Sequence, residues 1–187
     1  MTYLPSLPAG STLLDVFRAF PAASRPLLDF HEAVMRGPSP LTVAERELIA
    51  AYVSGLNACL YCHGVHTETA ASFGVPAELL GALVADPDAV PDAALEAAGS
   101  RAGLRSLLHY VAAVTRDPAR VTPADAAAVL ADGWDEQALH DAVAVCGLFN
   151  LMNRLVDGLG VEAGADYRTM SGRRLAEGGY AALKDLL

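Results

Sequence analysis

The feature that most restricts the fold is the stretch from Asp135 to Gly160, where nothing interrupts a helical pattern. Asp135 is a good N-cap, apolar residues recur at helical spacing from Leu139 through Val143, Leu148, Met152 and Leu155 to Leu159, and Gly160 closes the run. The rest of the chain reads as shorter helices with clear punctuation. Ser11 or Thr12 caps one to Phe20; after a break at Pro21 to Arg25, another runs from about Pro26 to Arg36. Thr42-Val-Ala-Glu is a capping-box pattern that opens a strong helix with Leu48, Ile49, Tyr52 and Val53 on a wide apolar face. Asn57 is the expected N-cap of the next helix, Ala58 to Phe73, which Gly74 ends; Pro76 starts a short one to about Val84. Further helices are predicted from Leu104 to about Thr115 and from Thr122-Pro123 to about Leu130. Residues 1–10 read as an extended arm, and helicity returns at the C-terminus from about Gly179. With no strand pair, hairpin turn or fixed-period repeat, the chain is expected to be all-α.

At 187 residues the chain suits a single domain, 1–187. Within it, residues 41–85 hold the motif region, 102–160 a helical second half and 161–187 a C-terminal segment, with the turn-rich residues 86–101 between the halves. Hydrophobic content is 53% and aromatic content only 6%, which favours helices packed through small residues. So sparse a polar surface implies apolar faces covered by a second subunit, a homo-oligomer. The net charge of −9, with no basic cluster, excludes nucleic acid and anionic membrane surfaces as natural partners. No apolar run approaches the length of a spanning helix, and the N-terminus lacks the layout of a signal peptide, so a cytoplasmic protein is expected. Three cysteines in a reducing compartment point to redox or metal chemistry before a structural disulfide framework.

That chemistry concentrates between Glu47 and His66, in ELIAAYVSGLNACLYCHGVH. Cys59 falls at the start of a helix, where free backbone N–H groups and the helix dipole favour a thiolate. Cys62 lies three residues on, near the same face, and His66 continues that stripe one turn further. His63 stands one turn after Cys59, at the edge of the stripe. A histidine one turn from a thiol can take its proton or hold it as an ion pair. Glu47, on the preceding helix, is placed to orient His66 or to accept a proton through water. Three readings fit: a redox dithiol, a zinc site of Cys59, Cys62, His66 and Glu47 or His63, or small side chains without chemistry. A second Cys/His pair, which zinc sites usually use, is missing, since Cys146 stands alone. Greater exposure at the helix start argues for Cys59 as the reacting thiol, whereas His66 one turn away argues for Cys62.

The spacing Glu47-x11-Cys59-Leu60-Tyr61-Cys62-x3-His66 resembles the motif of alkylhydroperoxidase D (AhpD)-like proteins of the carboxymuconolactone decarboxylase superfamily. The segment Phe149-Asn150-Leu151-Met152-Asn153-Arg154 is similar to the long helix of a subgroup known as uncharacterised peroxidase-related enzymes. The resemblance implies an all-helical, oligomeric protein (dimer, trimer or hexamer) that reduces hydroperoxides through a Cys59–Cys62 disulfide, without a cofactor or metal. It implies Cys62 as the peroxide-reactive thiol, Cys59 as the resolving one, and His66 and Glu47 as a proton relay. The implied partners are a hydroperoxide substrate and a thiol or lipoylated-protein reductant. AhpD itself has a histidine where this chain has Tyr61. Lactone decarboxylation, as in the superfamily's namesake, and a non-enzymatic redox sensor or zinc-bound interaction module are the alternatives.

Outside this stretch, Cys146 is expected to be a small buried hydrophobe, and structural or surface roles are expected for His31, His109 and His140. Asn150 and Asn153, polar groups inside an apolar helix, read as packing contacts or as pocket lining, and Tyr61 and His63 are further pocket candidates. Trp134 is expected to staple the start of the long helix.

Overall fold

A computed structural model describes residues 2–187, and helices are the only regular elements among them. The N-terminal arm runs through turns and is fastened by the Tyr3 N–H to the Leu159 carbonyl at 2.8 Å; Met1 of the expected arm lies outside the described residues. Thr12 and Asp15 form a capping box at the start of α1 (Leu13–Ala19). The break expected over residues 21–25 does not occur. Pro21 takes the first helical position, where a missing N–H removes no helical bond, so α2 covers Pro21–Arg36 and carries Pro26 inside it.

The capping box of α3 (Val43–Leu56) forms as the sequence predicts: the Thr42 hydroxyl accepts from the Glu45 N–H at 3.2 Å, and Glu45 Oε2 accepts from the Thr42 N–H at 2.8 Å. The other Glu45 oxygen accepts from the Arg101 N–H at 2.8 Å, which fastens the turn-rich 86–101 segment to this helix. Most of α3 is buried all round, polar residues included, because α4, α5, α7 and α9 surround it.

One helix boundary differs from expectation in a way that matters for the site. Asn57 closes α3 and does not cap the next helix; its side-chain amide donates instead to Asn150 Oδ1 (3.1 Å) and Asn153 Oδ1 (2.8 Å). Ala58 turns the chain with φ at 57°, a left-handed conformation uncommon for alanine, and Cys59 itself becomes the N-cap of α4 (Leu60–Ser72).

After α5 (Ala77–Ala85) and the short α6 (Asp92–Ala97), α7 (Leu104–Arg116) is stopped at Asp117-Pro118. Then come α8 (Pro123–Ala131) and α9 (Glu136–Gly158), the longest helix at 23 residues, whose first turn is capped by Asp135 accepting from the Ala138 N–H at 2.8 Å. Trp134, just before it, is buried and donates its indole N–H to the Gly103 carbonyl at 2.9 Å.

The C-terminal segment departs furthest from expectation. Its helix, α10, covers Ala165–Gly178 and stops where helicity was predicted to begin; a 3₁₀ turn follows over Ala181–Leu186. The sequence hides α10 because only Gly172 and Leu175 are buried on it, too little for a readable apolar stripe. What holds it is a close approach to α4: a Cβ on Gly172 would meet Glu68 Cβ at 2.5 Å and the Val65 carbonyl oxygen at 3.0 Å. The result places α4 between α3 and α10, with α9 crossing beside α3. Among the described residues no helix is long and apolar enough to cross a membrane.

Candidate active site

Cys59 and Cys62 are both reduced and buried. As N-cap, Cys59 faces the free N–H groups of the first turn of α4. The Cys62 thiol donating toward it holds Cys59 below the usual thiol range; burial opposes this, and the Cys62 backbone N–H assists. Cys62 is pushed well up, first because Cys59 competes for the shared proton and then by burial; Asn153 works in the opposite direction through a hydrogen bond. Of the two coupled thiols, Cys59 is therefore the one that loses its proton more easily.

His66 faces Glu47 as the motif suggests. Its Nδ1 donates to Glu47 Oε2 at 2.7 Å, which leaves Nε2 for chemistry. Glu47 is fully buried, and its other oxygen is also taken: Arg36 lies 2.7 Å from Oε1, and the Tyr180 hydroxyl donates to the same atom at 3.1 Å. Burial pushes the Glu47 carboxyl up, but His66 and Arg36 outweigh it and hold the group below its ordinary value, ionised.

Arg36 and Tyr180 are the residues that sequence reasoning missed. Arg36 ends α2, where a basic residue normally needs no more explanation than the helix dipole. Tyr180 is brought in from far along the chain by the turn after α10. Glu32 Oε2 accepts from the Tyr180 and Ala181 N–H groups at 2.7 and 2.8 Å, and Gly179 makes the preceding turn at φ 64°. The only local hint was Glu47 itself, since a carboxylate on a buried helix requires a cation.

Cys62, His66 and Tyr61 open onto a small cavity of about 60 Å3. Phe149 of α9, Tyr167 and Arg174 of α10, and Tyr180 supply further walls. The Phe149 ring meets the His66 imidazole edge-on with centroids 4.3 Å apart, fixing its plane. Of the pocket candidates, Tyr61 lines the cavity and its hydroxyl donates to the Tyr167 hydroxyl at 3.2 Å. His63 does not: its Nδ1 donates back to the Ala51 carbonyl at 2.9 Å, pinning α4 to α3. Asn153 lies behind the thiols, donating to Ser54 Oγ at 3.0 Å and accepting from Asn57, while Asn150 donates to the Cys146 carbonyl at 3.0 Å; neither lines the cavity.

Cys146 is buried against Thr115 at 3.3 Å, with its thiol pushed up chiefly by burial. His109 pairs with the exposed Asp88, and the exposed His140 with the largely buried Asp141. His31, expected in a structural or surface role, is buried and lines the cavity. Among the described residues no three His, Cys, Asp or Glu side chains converge to hold a metal ion.

The fold and site together define an all-helical protein with two thiols at a helix start and an anchored histidine beside them. Residues 21–102 match the model of the carboxymuconolactone decarboxylase family. A crystal structure of an uncharacterised peroxidase-related protein from Silicibacter sp. TM1040 is similar with a TM-score of 0.73 and 26% identity, covering 83% of this chain and 78% of that one. An uncharacterised peroxidase-related protein from Ralstonia eutropha JMP134, described as an alkylhydroperoxidase AhpD core, shares the fold at a TM-score of 0.68 and 23% identity, over 84% and 78% of the two chains. No curated protein matches the chain. In sequence over residues 21–102 and in overall fold, the chain is thus similar to the AhpD-like proteins of the carboxymuconolactone decarboxylase superfamily.

Proposed function

We propose that this protein is a thiol-dependent peroxidase that reduces organic hydroperoxides and cycles through a Cys59–Cys62 disulfide. The observation that carries this reading is the division of labour between the two thiols: Cys62 faces the cavity beside His66, whereas Cys59 sits behind it at the helix N-cap. His66 Nε2 takes the Cys62 proton, and the sulfur attacks the terminal oxygen of the hydroperoxide. As the S–O bond forms and the O–O bond breaks, His66 returns the proton to the leaving alkoxide, and an alcohol departs. Cys59 then attacks the Cys62 sulfenic acid, forming the disulfide and expelling hydroxide, which leaves as water with the second thiol proton. One hydroperoxide and two thiols thus become alcohol, water and disulfide, and an external thiol or dithiol protein restores the pair.

In this scheme Glu47 does not itself change protonation. With both oxygens occupied it remains a carboxylate, fixes the His66 tautomer and stabilises the imidazolium that forms in mid-reaction. The raised Cys62 thiol fits a pair in which the proton moves off the outer sulfur only when substrate and His66 are in place.

The test is oxidation of the reduced protein by cumene hydroperoxide, followed by intact mass. Loss of two hydrogens at one equivalent, abolished in Cys59→Ser and Cys62→Ser, is the expected result; unchanged turnover without either thiol would sink the reading. The family match supports one other reading, decarboxylation of a lactone acid. That reaction needs no dithiol, so it predicts carbon dioxide release that survives both serine substitutions.

A further inference from the structure

Two imidazoles, not one, reach the cavity. His31 sits on α2, is 4% exposed, and lines the same cavity as Cys62 and His66. Its Nδ1 lies 2.8 Å from the Leu27 carbonyl, one turn back on the helix. A carbonyl can only accept, so Nδ1 carries the hydrogen. Burial holds the ring at a pKa of about 4, against the raising effects of the Leu27 bond and Glu47 and helped by His66. The ring is therefore neutral in ordinary buffers, and with Nδ1 committed to Leu27 the acceptor it can offer to the cavity is Nε2. Phe149 and Tyr180 pack on the ring, with centroids 6.3 and 5.1 Å away, and hold its orientation.

An acceptor on the wall of a small, closely lined cavity can fix the orientation of a donor that enters it. A hydroperoxide brings one donor, its terminal O–H. We infer that His31 Nε2 is a substrate-contacting acceptor that binds the terminal O–H of the hydroperoxide and aims its O–O bond at Cys62. The inference rests on the peroxidase reading and adds to it a second, oppositely poised imidazole. His66 gives and takes the proton that moves, whereas His31 keeps its own tautomer and only accepts a hydrogen bond. In the balanced reaction the O–H bond held by His31 is not broken; it passes intact into the sulfenic acid, so His31 needs no proton of its own. Substrates without a terminal O–H lose this contact.

The test compares wild type, His31→Phe and His31→Gln as reduced, full-length proteins against two oxidants. Cumene hydroperoxide carries the O–H; 2,2′-dithiodipyridine oxidises the same thiols without one. His31→Phe should lose roughly tenfold in the second-order rate constant with the hydroperoxide and change less than about twofold with the disulfide. His31→Gln, which keeps an acceptor, should recover part of the loss and guards against a Phe variant that fails to fold. Equal losses with both oxidants would mean that His31 only supports the fold, and unchanged peroxide rates in both variants would mean that it does not touch substrate; either result overturns the inference. If wild type reacts with the disulfide but with no hydroperoxide, the peroxidase reading falls first and takes this one with it.

Discussion

Cys59 at the start of α4 and Cys146 in mid-α9 are both buried, yet their surroundings shift the two thiols in opposite directions. Cys146 lies in mid-α9, where every nearby N–H is already spent on a helical bond, and burial raises its thiol with only Thr115 and Asn150 to offset it. Cys59 lies at a helix start, where the N–H groups have no helical partner and can hold a thiolate, and Cys62 shares its proton. Depth of burial is the same; what differs is whether donors are free at the sulfur. The direction in which Cys59 and Cys146 are shifted follows their position along a helix.

The largest effect that would break this comparison is mutational. Cys59→Ser or Cys62→Ser should each lower hydroperoxide turnover by about a thousandfold or more, whereas Cys146→Ser should stay within about twofold. A slow Cys146→Ser variant with normal thermal stability would show that the α9 thiol takes part.

Glu47→Gln tests whether the thiol pair depends on the anchored histidine. Turnover should fall by about a hundredfold, and the urea midpoint should drop by the equivalent of about 3 kcal/mol, because Arg36 loses its buried partner. Glu47 is held below its ordinary value when folded, so its stabilisation is present above the unfolded carboxyl value and is lost as pH falls through the folded one. The variant should lack that acid-side loss.

His31 gives a pH signature of the opposite kind of group. Its folded pKa of about 4 lies below the unfolded 6.5, so between those values the unfolded chain binds more protons and stability rises with pH. Wild type should gain on the order of 3 kcal/mol from pH 4 to pH 6.5 through this residue, and His31→Phe should flatten that part of the profile. Denaturant titrations at four pH values measure it.

The smallest effect concerns the turn that presents Cys59. Ala58 holds a left-handed conformation next to the N-cap, a strain that glycine would not carry. Ala58→Gly should raise stability by about 0.5–1 kcal/mol while lowering peroxide reactivity a few-fold, as the cap loses rigidity. Higher activity together with higher stability would mean that the turn does not position the thiol.

Much of this arrangement was legible in the chain. Thr42 with Glu45, Asp135 before α9 and Asp117-Pro118 after α7 are local signals, and they mark the boundaries found. The Glu47–His66 bond was legible as a spacing across one helical hairpin. Asn57 misled because its type suits an N-cap, but two asparagines of α9 claim its side chain, and no local rule reports a partner that distant. Helix α10 was misplaced because a face that packs through Gly172 leaves no apolar stripe to read.

The sequence by itself determined the helical class and the pairing of two thiols, a histidine and a carboxylate, since these depend on spacings within a few helical turns. Only the tertiary structure decided that Glu47 remains ionised, that His63 turns away and that His31 turns in. Those outcomes depend on Arg36, Tyr180, Phe149 and the Ala51 carbonyl, groups from four separate parts of the chain. Charge and hydrogen bonding at a buried site are set by whatever the fold brings within about 3–4 Å, and adjacency in sequence has no part in that distance.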